Sequence, residues 1–383
     1  MKNKLNSNSI LPFLFGATLL AVWLLYLILP QQSFSQKENR PLQTRPALSF
    51  ATLKDGSFME QFETYTTEQL PFREFFVDVK AALNSLTLSR ENNGIVRGKD
   101  DYLFERSPLS LDQLKKNETA IRQFAEKAGR PVTVAIAPNA VQILQEDLPA
   151  GFPRIDQETQ LRDFYAKAQE LENVNTVDMI GSLMSHKDEQ LYYRTDHHWT
   201  TQAAYYAYRD IVNELAAANG SGQADAGSGP VELQTLTKHE INDFYGTLSA
   251  KYKAETAPDT LTWYDVPITT FERSDGDFDT LYDTDKLKIY DKYAMFLRGN
   301  DEICTIRSEN AGNGRHLIVF KDSYANCLIP FLTYNYDEIT VVDLRYYADK
   351  VSELLSADPE ADILLLYNFS FLSEDNHFYR LTL

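Results

Sequence analysis

Short apolar runs bounded by polar or turn-forming residues constrain this chain more than any other feature. They are VTVAIA (Val132–Ala137), NVNTVDM around Val177, HLIVF (His316–Phe320), ITVVD (Ile339–Asp343) and DILLLYN (Asp362–Asn368). Runs this short and continuous suit strands buried on both faces. Helical patterns lie before or between them at Leu111–Lys127, Glu158–Leu171, Thr201–Leu215 and Ala348–Ser356. In Thr201–Leu215, Ala204, Tyr208, Ile211 and Leu215 share one face. Alternating strands and helices predict an α/β fold with a largely parallel sheet flanked by helices.

The rhythm stops between Ala218 and Arg315. NGSGQADAGSGP (Asn219–Pro230) opens that region as a flexible stretch, and Thr-, Asp- and aromatic-rich segments such as LTWYDVPITTF follow without helical period. This predicts a β-rich insertion over about residues 219–315, a lobe over the sheet edge.

At the other end, LPFLFGATLLAVWLLYLIL (Leu11–Leu29) carries no charge. As a helix it would span roughly 28 Å, close to the hydrocarbon thickness of a bilayer. The expected organisation is a cytoplasmic tail (1–10), a transmembrane anchor (11–30), a linker (31–50) rich in polar residues with Pro41 and Pro46, and an extracytoplasmic body (51–383). Ser33-Phe34-Ser35 also has the small-x-small pattern of a leader cleavage site, which leaves removal of the segment open. Within the body, Phe58–Leu86 reads as helix interrupted at Pro71, and GKDDYLFE (Gly98–Glu105) as a turn feeding a strand. The formal charge of −18 excludes a nucleic-acid ligand, because little would neutralise its phosphates. Cys304 and Cys327 are too few for a disulfide scaffold; they stand either as a single bridge or as two buried thiols.

Two segments carry chemistry. In LYYRTDHHWT (Leu191–Thr200), Asp196 and His198 stand directly before a helix that Thr200 can cap. A carboxylate beside an imidazole suits acid–base work, since it fixes the tautomer and stabilises the protonated ring. In LIVFKDSYANC (Leu317–Cys327), Ser323 follows a strand where a helical pattern resumes, and Pro330 keeps that helix short or kinked. A serine there sits at the carboxyl edge of the sheet, where open α/β sheets bind ligands. N–H groups of the next turn are then available to an oxyanion. The bland alternative is that Asp322 or Ser323 merely caps the helix. Asp196, His197 and His198 are also competent metal ligands. On an extended segment, however, adjacent residues face opposite ways, and no further ligand motif accompanies them, so no metal is expected.

TDHHWT resembles the signature of the DHHW protein family, which is similar to the SGNH-hydrolase-like proteins that O-acetylate exopolysaccharides, such as the alginate acetylation proteins. Other blocks agree in order: FETYTTEQLPFRE, GKDDYLFE with Tyr102 where tryptophan is usual, and VAIAPNAVQI with Asn139 where the alginate group has lysine. MFLRGNDEICTIRS, LIVFKDSYANC, VVDLRYY and LLLYNFSF continue the series, so the similarity covers about Phe62 to Phe371.

This resemblance implies an SGNH-like fold and a triad of Ser323, His198 and Asp196, with His197 at the variable position. It implies that Asn300 and Tyr324 help stabilise an oxyanion or orient substrate, and that Tyr193, Arg194 and Trp199 line a sugar cleft. Packing is the competing role for each of these three, and for Trp199 it is the favoured one. No soluble cofactor is implied. The expected activity is O-acyl, chiefly acetyl, transfer or ester hydrolysis on a cell-wall or secreted polysaccharide, with a membrane-bound O-acyltransferase as partner. The alternatives are a non-catalytic glycan-binding or assembly protein of the same fold, and a metal-dependent DHH-type hydrolase.

Overall fold

A computed structural model describes residues 7–35, 40–86, 91–106, 109–218, 229–308 and 311–383. Most of the expected cytoplasmic tail and of the Gly/Ser-rich stretch after Ala218 lies outside the described residues. The chain divides into two compact units, Met1–Asn92 and Asn93–Leu383.

The first unit is helical. Ser7–Ile28 forms one helix, and within it Ile10–Ile28 is long and apolar enough to cross a membrane, with no part of that stretch buried by the protein. Further helices run over Ser57–Glu68 and Arg73–Leu86, broken around Pro71, where the fixed proline φ and missing N–H interrupt the ladder. Tyr26, near the end of the apolar helix, packs edge-on against Tyr65 with ring centroids 5.8 Å apart.

The second unit is built on an eight-stranded mixed sheet. We number its strands β1 (Val132–Ala137), β2 (Val174–Val177), β3 (Thr270–Arg273), β4 (Gly276–Phe278), β5 (Ile303–Arg307), β6 (His316–Lys321), β7 (Glu338–Val342) and β8 (Asp362–Asn368). Their order across the sheet is β4-β3-β5-β7-β6-β8-β1-β2. From β7 to β2 all neighbours are parallel. These are the short apolar runs of the sequence, and β1 and β8 are buried almost throughout because helices cover both faces. The covering helices include Leu111–Ala128, Gln157–Ala168, Thr201–Ala218 and Val351–Ala357.

The remaining strands differ from the expectation of a lobe. β5, β3 and β4 join the main sheet antiparallel to their neighbours, making it mixed. Their alternating patterns, as in ICTIR with Cys304 and Ile306 inward, bury one face and leave the other accessible, which suits an antiparallel margin. A separate antiparallel pair, Lys238–Phe244 with Asp259–Tyr264, lies in the same region.

Strand order positions the site. β6 pairs with β7 on one side and β8 on the other, so the chain leaving β6 sits where the winding direction reverses. In open α/β sheets that crevice, at the carboxyl ends of the strands, is where ligands bind. Ser323 is two residues beyond the end of β6.

Candidate active site

The segment Leu191–Thr200 folds back on itself. Tyr192 and Trp199 form an isolated antiparallel bridge, and Thr200 N–H donates to Leu191 O over 2.9 Å. Thr200 Oγ1 accepts from Ala203 N–H at 3.3 Å, which caps the following helix. Buried Asp259 holds the turn from below, accepting from Arg194 N–H (3.0 Å), Thr195 N–H (2.8 Å) and Thr195 Oγ1 (2.7 Å). Burial pushes the Asp259 carboxyl up, and these donors pull against that.

The turn aims Asp196 and His198 at the end of β6. His198 Nδ1–H donates to Asp196 Oδ1 over 2.5 Å, and His198 Nε2 accepts from Ser323 Oγ at 2.8 Å. The tautomer follows from its partners, since a carboxylate can only accept at Nδ1. Asp196 also takes the His198 N–H (3.0 Å), the Thr247 N–H (2.8 Å) and the Thr247 hydroxyl (3.1 Å). Burial raises the Asp196 carboxyl's proton affinity, but the neighbouring histidines and the hydrogen bonds from His198 and Thr247 outweigh it and hold the group well below the usual carboxylate range. The carboxylate fits only because residue 246 is glycine: a Cβ there would lie 2.2 Å from Asp196 Cβ.

At the other end, Ser323–Cys327 is a 3₁₀ turn, followed by a short helix Ile329–Leu332. The capping alternative is divided between neighbours. Asp322 is the cap, its Oδ1 accepting from Tyr324 N–H at 2.8 Å, while Ser323 keeps its hydroxyl for His198. Asp322 Oδ2 accepts from the Asn368 N–H and Nδ2, each at 2.7 Å, tying the turn to the end of β8. Burial pushes the Asp322 carboxyl up to about 6 against those hydrogen bonds.

Tyr293 completes the arrangement. Its ring stacks on His198 at a centroid distance of 3.7 Å and 9° between planes, and its hydroxyl donates to Ser323 O at 3.1 Å. Tyr293, Gly246, Thr247 and Asp259 carry no signature in the sequence: all lie in the stretch without period and reach the site only through the fold.

The other expected residues are placed differently from one another. Tyr193 and Trp199 are core side chains, 1% and 0% exposed, so neither presents a face on which a sugar could stack. Trp199 Nε1–H donates to Tyr324 O at 2.9 Å, and the Tyr193 ring sits edge-on to Phe244. Tyr324 is buried as well; its hydroxyl donates to His197 O and accepts from Asn139 Nδ2 (3.1 Å), and its N–H is spent on Asp322. Arg194 is half-buried and acts here through its backbone, on Asp259. Asn300 is exposed, with Oδ1 taken by Lys321 Nζ at 2.8 Å and by Asn326 Nδ2 at 3.1 Å. Cys304 and Cys327 are free buried thiols, each pushed up to about 12 by burial.

His197 and His198 do not face opposite ways as an extended segment would require. The turn brings their rings to 3.9 Å, and one ligand atom each from Asp196, His197 and His198 lies within 4.8 Å of the others. An ion held by all three would have to displace an existing bond, because both His198 nitrogens are engaged, to Asp196 and to Ser323. His197 Nδ1 is bonded to Thr247 Oγ1 at 2.8 Å.

The DHHW protein family profile matches residues 117–342, which spans strands β1 to β7 and every polar group just described except Asn368 at the end of β8. A DHHW family protein from Eubacterium siraeum has a similar structure, with 25% identity and a TM-score of 0.61 over 76% of this chain and 95% of that one. Bacillus cereus PatB1, solved with a sulfonyl adduct, shares the fold at 18% identity, with a TM-score of 0.62 over 76% of this chain and 98% of its own. Among named relatives, the probable alginate O-acetylase AlgJ of Pseudomonas fluorescens is 27% identical over 176 residues, which is 43% of this chain and 44% of the relative. The AlgJ of Pseudomonas aeruginosa is 27% identical over 174 residues, with the same coverage. The match thus spans under half the length of those relatives.

Proposed function

This chain belongs to the DHHW protein family, and from that membership we propose that it is a serine-dependent O-acyltransferase of SGNH-like fold, moving acetyl groups onto hydroxyls of a cell-wall or secreted polysaccharide. The observation that carries the reading is the continuous hydrogen-bonded line from Asp196 through His198 to Ser323, at 2.5 and 2.8 Å. A nucleophile within reach of a base, itself oriented by a third group, is the arrangement that acyl transfer requires. Kinship to proteins named as alginate O-acetylases supports the substrate class.

In the proposed reaction Ser323 Oγ attacks the carbonyl carbon of an acyl ester while its proton passes to His198 Nε2. Asp196 stabilises the resulting imidazolium. The tetrahedral oxyanion collapses, the donor's leaving oxygen takes the proton from Nε2, and acyl-Ser323 remains. A sugar hydroxyl then gives its proton to Nε2 and attacks the ester. Ser323 leaves and recovers that proton. Water in place of the sugar makes the same site an esterase. Asn300, through its amide N–H, is the proposed side-chain donor to the oxyanion. The apolar helix Ser7–Ile28 serves as a single-pass anchor that keeps the site beside a membrane-bound O-acyltransferase supplying the acyl group.

The test uses the full chain in detergent with an aryl acetate as donor. Ser323→Ala should lower acetate release by about 10³-fold or more, to background. Equal activity in wild type and variant would remove the triad from the reading, and equal inertness would favour a glycan-binding role on the same fold.

A further inference from the structure

Lys321, the last residue of β6, carries a cation into the interior: its side chain is 2% exposed, and its Nζ is 3.5 Å from Asp343 Oδ2, which is fully buried. The Coulomb partner is shared, because Arg345 already holds Asp343 at both oxygens, at 2.9 and 2.6 Å. What Lys321 alone does is reach two amides, Asn300 Oδ1 at 2.8 Å and Asn326 Oδ1 at 2.9 Å.

An ammonium donates and never accepts, so both atoms it touches must be amide oxygens. That settles an orientation which amide shape alone leaves ambiguous. With its oxygen on Lys321, Asn326 must turn its nitrogen elsewhere, and Nδ2 donates to Asn300 Oδ1 at 3.1 Å. Asn300 Oδ1 therefore receives two donors, and its NH₂ is forced to the opposite side, toward solvent, since Asn300 is exposed whereas Lys321 and Asn326 are buried. Asn326 follows Ser323 by three residues within the 3₁₀ turn. Residues three apart eclipse on such a turn, about 6 Å apart along its axis, so the amide cluster stands on the serine's face.

A second observation points to the same loop. Leu297, Arg298 and Gly299, directly before Asn300, have φ of 50°, 55° and 95°. Consecutive left-handed residues that are not glycine persist only where surroundings over-determine them, and they cluster at functional sites. Here the brace is Arg273, nearly buried, whose NH1 donates to Leu297 O at 2.7 Å.

We infer that Lys321 is a buried positioning residue: through Asn326 and directly, it locks the Asn300 amide with its NH₂ outward, as the pre-oriented donor to the acyl oxygen of a substrate on Ser323. This rests on the acyl-enzyme reading above. It explains why a cation is kept where an apolar side chain would be easier to bury, and why two asparagines surround it.

The test is the burst of aryl alcohol on mixing an aryl acetate with full-length protein, which reads acylation directly. Lys321→Met and Asn300→Ala should each slow acylation by about 10²–10³-fold, the loss typical of one oxyanion donor, with half-saturation changed less than threefold. The double variant should be no slower than the slower single one, because Lys321 acts through Asn300. Asn300→Asp guards against misfolding: its carboxylate still accepts from Lys321 but offers no outward N–H, so thermal stability should hold while acylation falls as in Asn300→Ala. A Ser323-dependent burst indifferent to Lys321→Met or to Asn300→Asp overturns this inference alone. A double variant showing the product of both losses does the same. A burst unaffected by Ser323→Ala overturns it together with the acyl-enzyme reading.

Discussion

Asp196 accepts four hydrogen bonds, two from His198 and two from Thr247, and its ionisation is worth a measurable amount. Its carboxyl is held below the usual range in the folded protein, whereas an unfolded aspartate titrates near about 3.9. The stability it contributes is therefore fully present above about pH 4 and is lost as the pH falls below that value. Wild type should lose thermal stability more steeply between about pH 5 and 2 than Asp196→Asn, as followed by tryptophan fluorescence. Parallel slopes would mean the carboxyl is not depressed. Above pH 6, Asp196→Asn should lower kcat by about 10⁴-fold through loss of the correct imidazole tautomer. In the sequence Asp196, His198 and Ser323 stand out as reactive groups beside predicted element boundaries, while their acting together is what the family resemblance implies. For Tyr193, Trp199 and Tyr324 the sequence leaves the role open, because an aromatic beside a reactive group looks the same whether it packs beneath the site or lines it; the fold buries all three.

At the scale of elements, the site depends on a contact between segments that are 51 residues apart, Asp196 and the Gly246-Thr247 turn. Gly246→Ala would place a methyl 2.2 Å from Asp196 Cβ, so one of the two must move. We expect a loss of about 1–3 kcal/mol in stability, typical of overpacking. Activity should fall more than the stability loss alone explains, as read by aryl acetate turnover well below the melting temperature. Unchanged turnover would mean that the carboxylate tolerates displacement. The periodic elements were the legible ones. Buried strands and amphipathic helices announce themselves by composition and spacing, so the parallel half of the sheet was read correctly. β3, β4 and β5 were not placed, because short alternating strands at a sheet margin state only that one face is buried, not which neighbour they join.

On the scale of the whole molecule, the helix Ser7–Ile28 contains a stretch long and apolar enough to cross a membrane. If it is an anchor, full-length protein should stay in the membrane pellet after alkaline carbonate extraction with its N-terminal segment intact. A soluble product beginning near Ser33–Ser35 would instead mark the segment as a cleaved leader. What the sequence by itself determined were quantities set by local composition: an apolar segment of bilayer length, the buried strands, the helices between them, and the two reactive segments. That a serine stands 2.8 Å from a histidine 125 positions earlier was decided only by the tertiary structure. So was the supply of Asp259, Gly246 and Tyr293 from an aperiodic region. The physical reason is that strand order, not strand identity, brings segments together. A short apolar run records how deeply it is buried but not beside which other run, and every distance in this site depends on that choice.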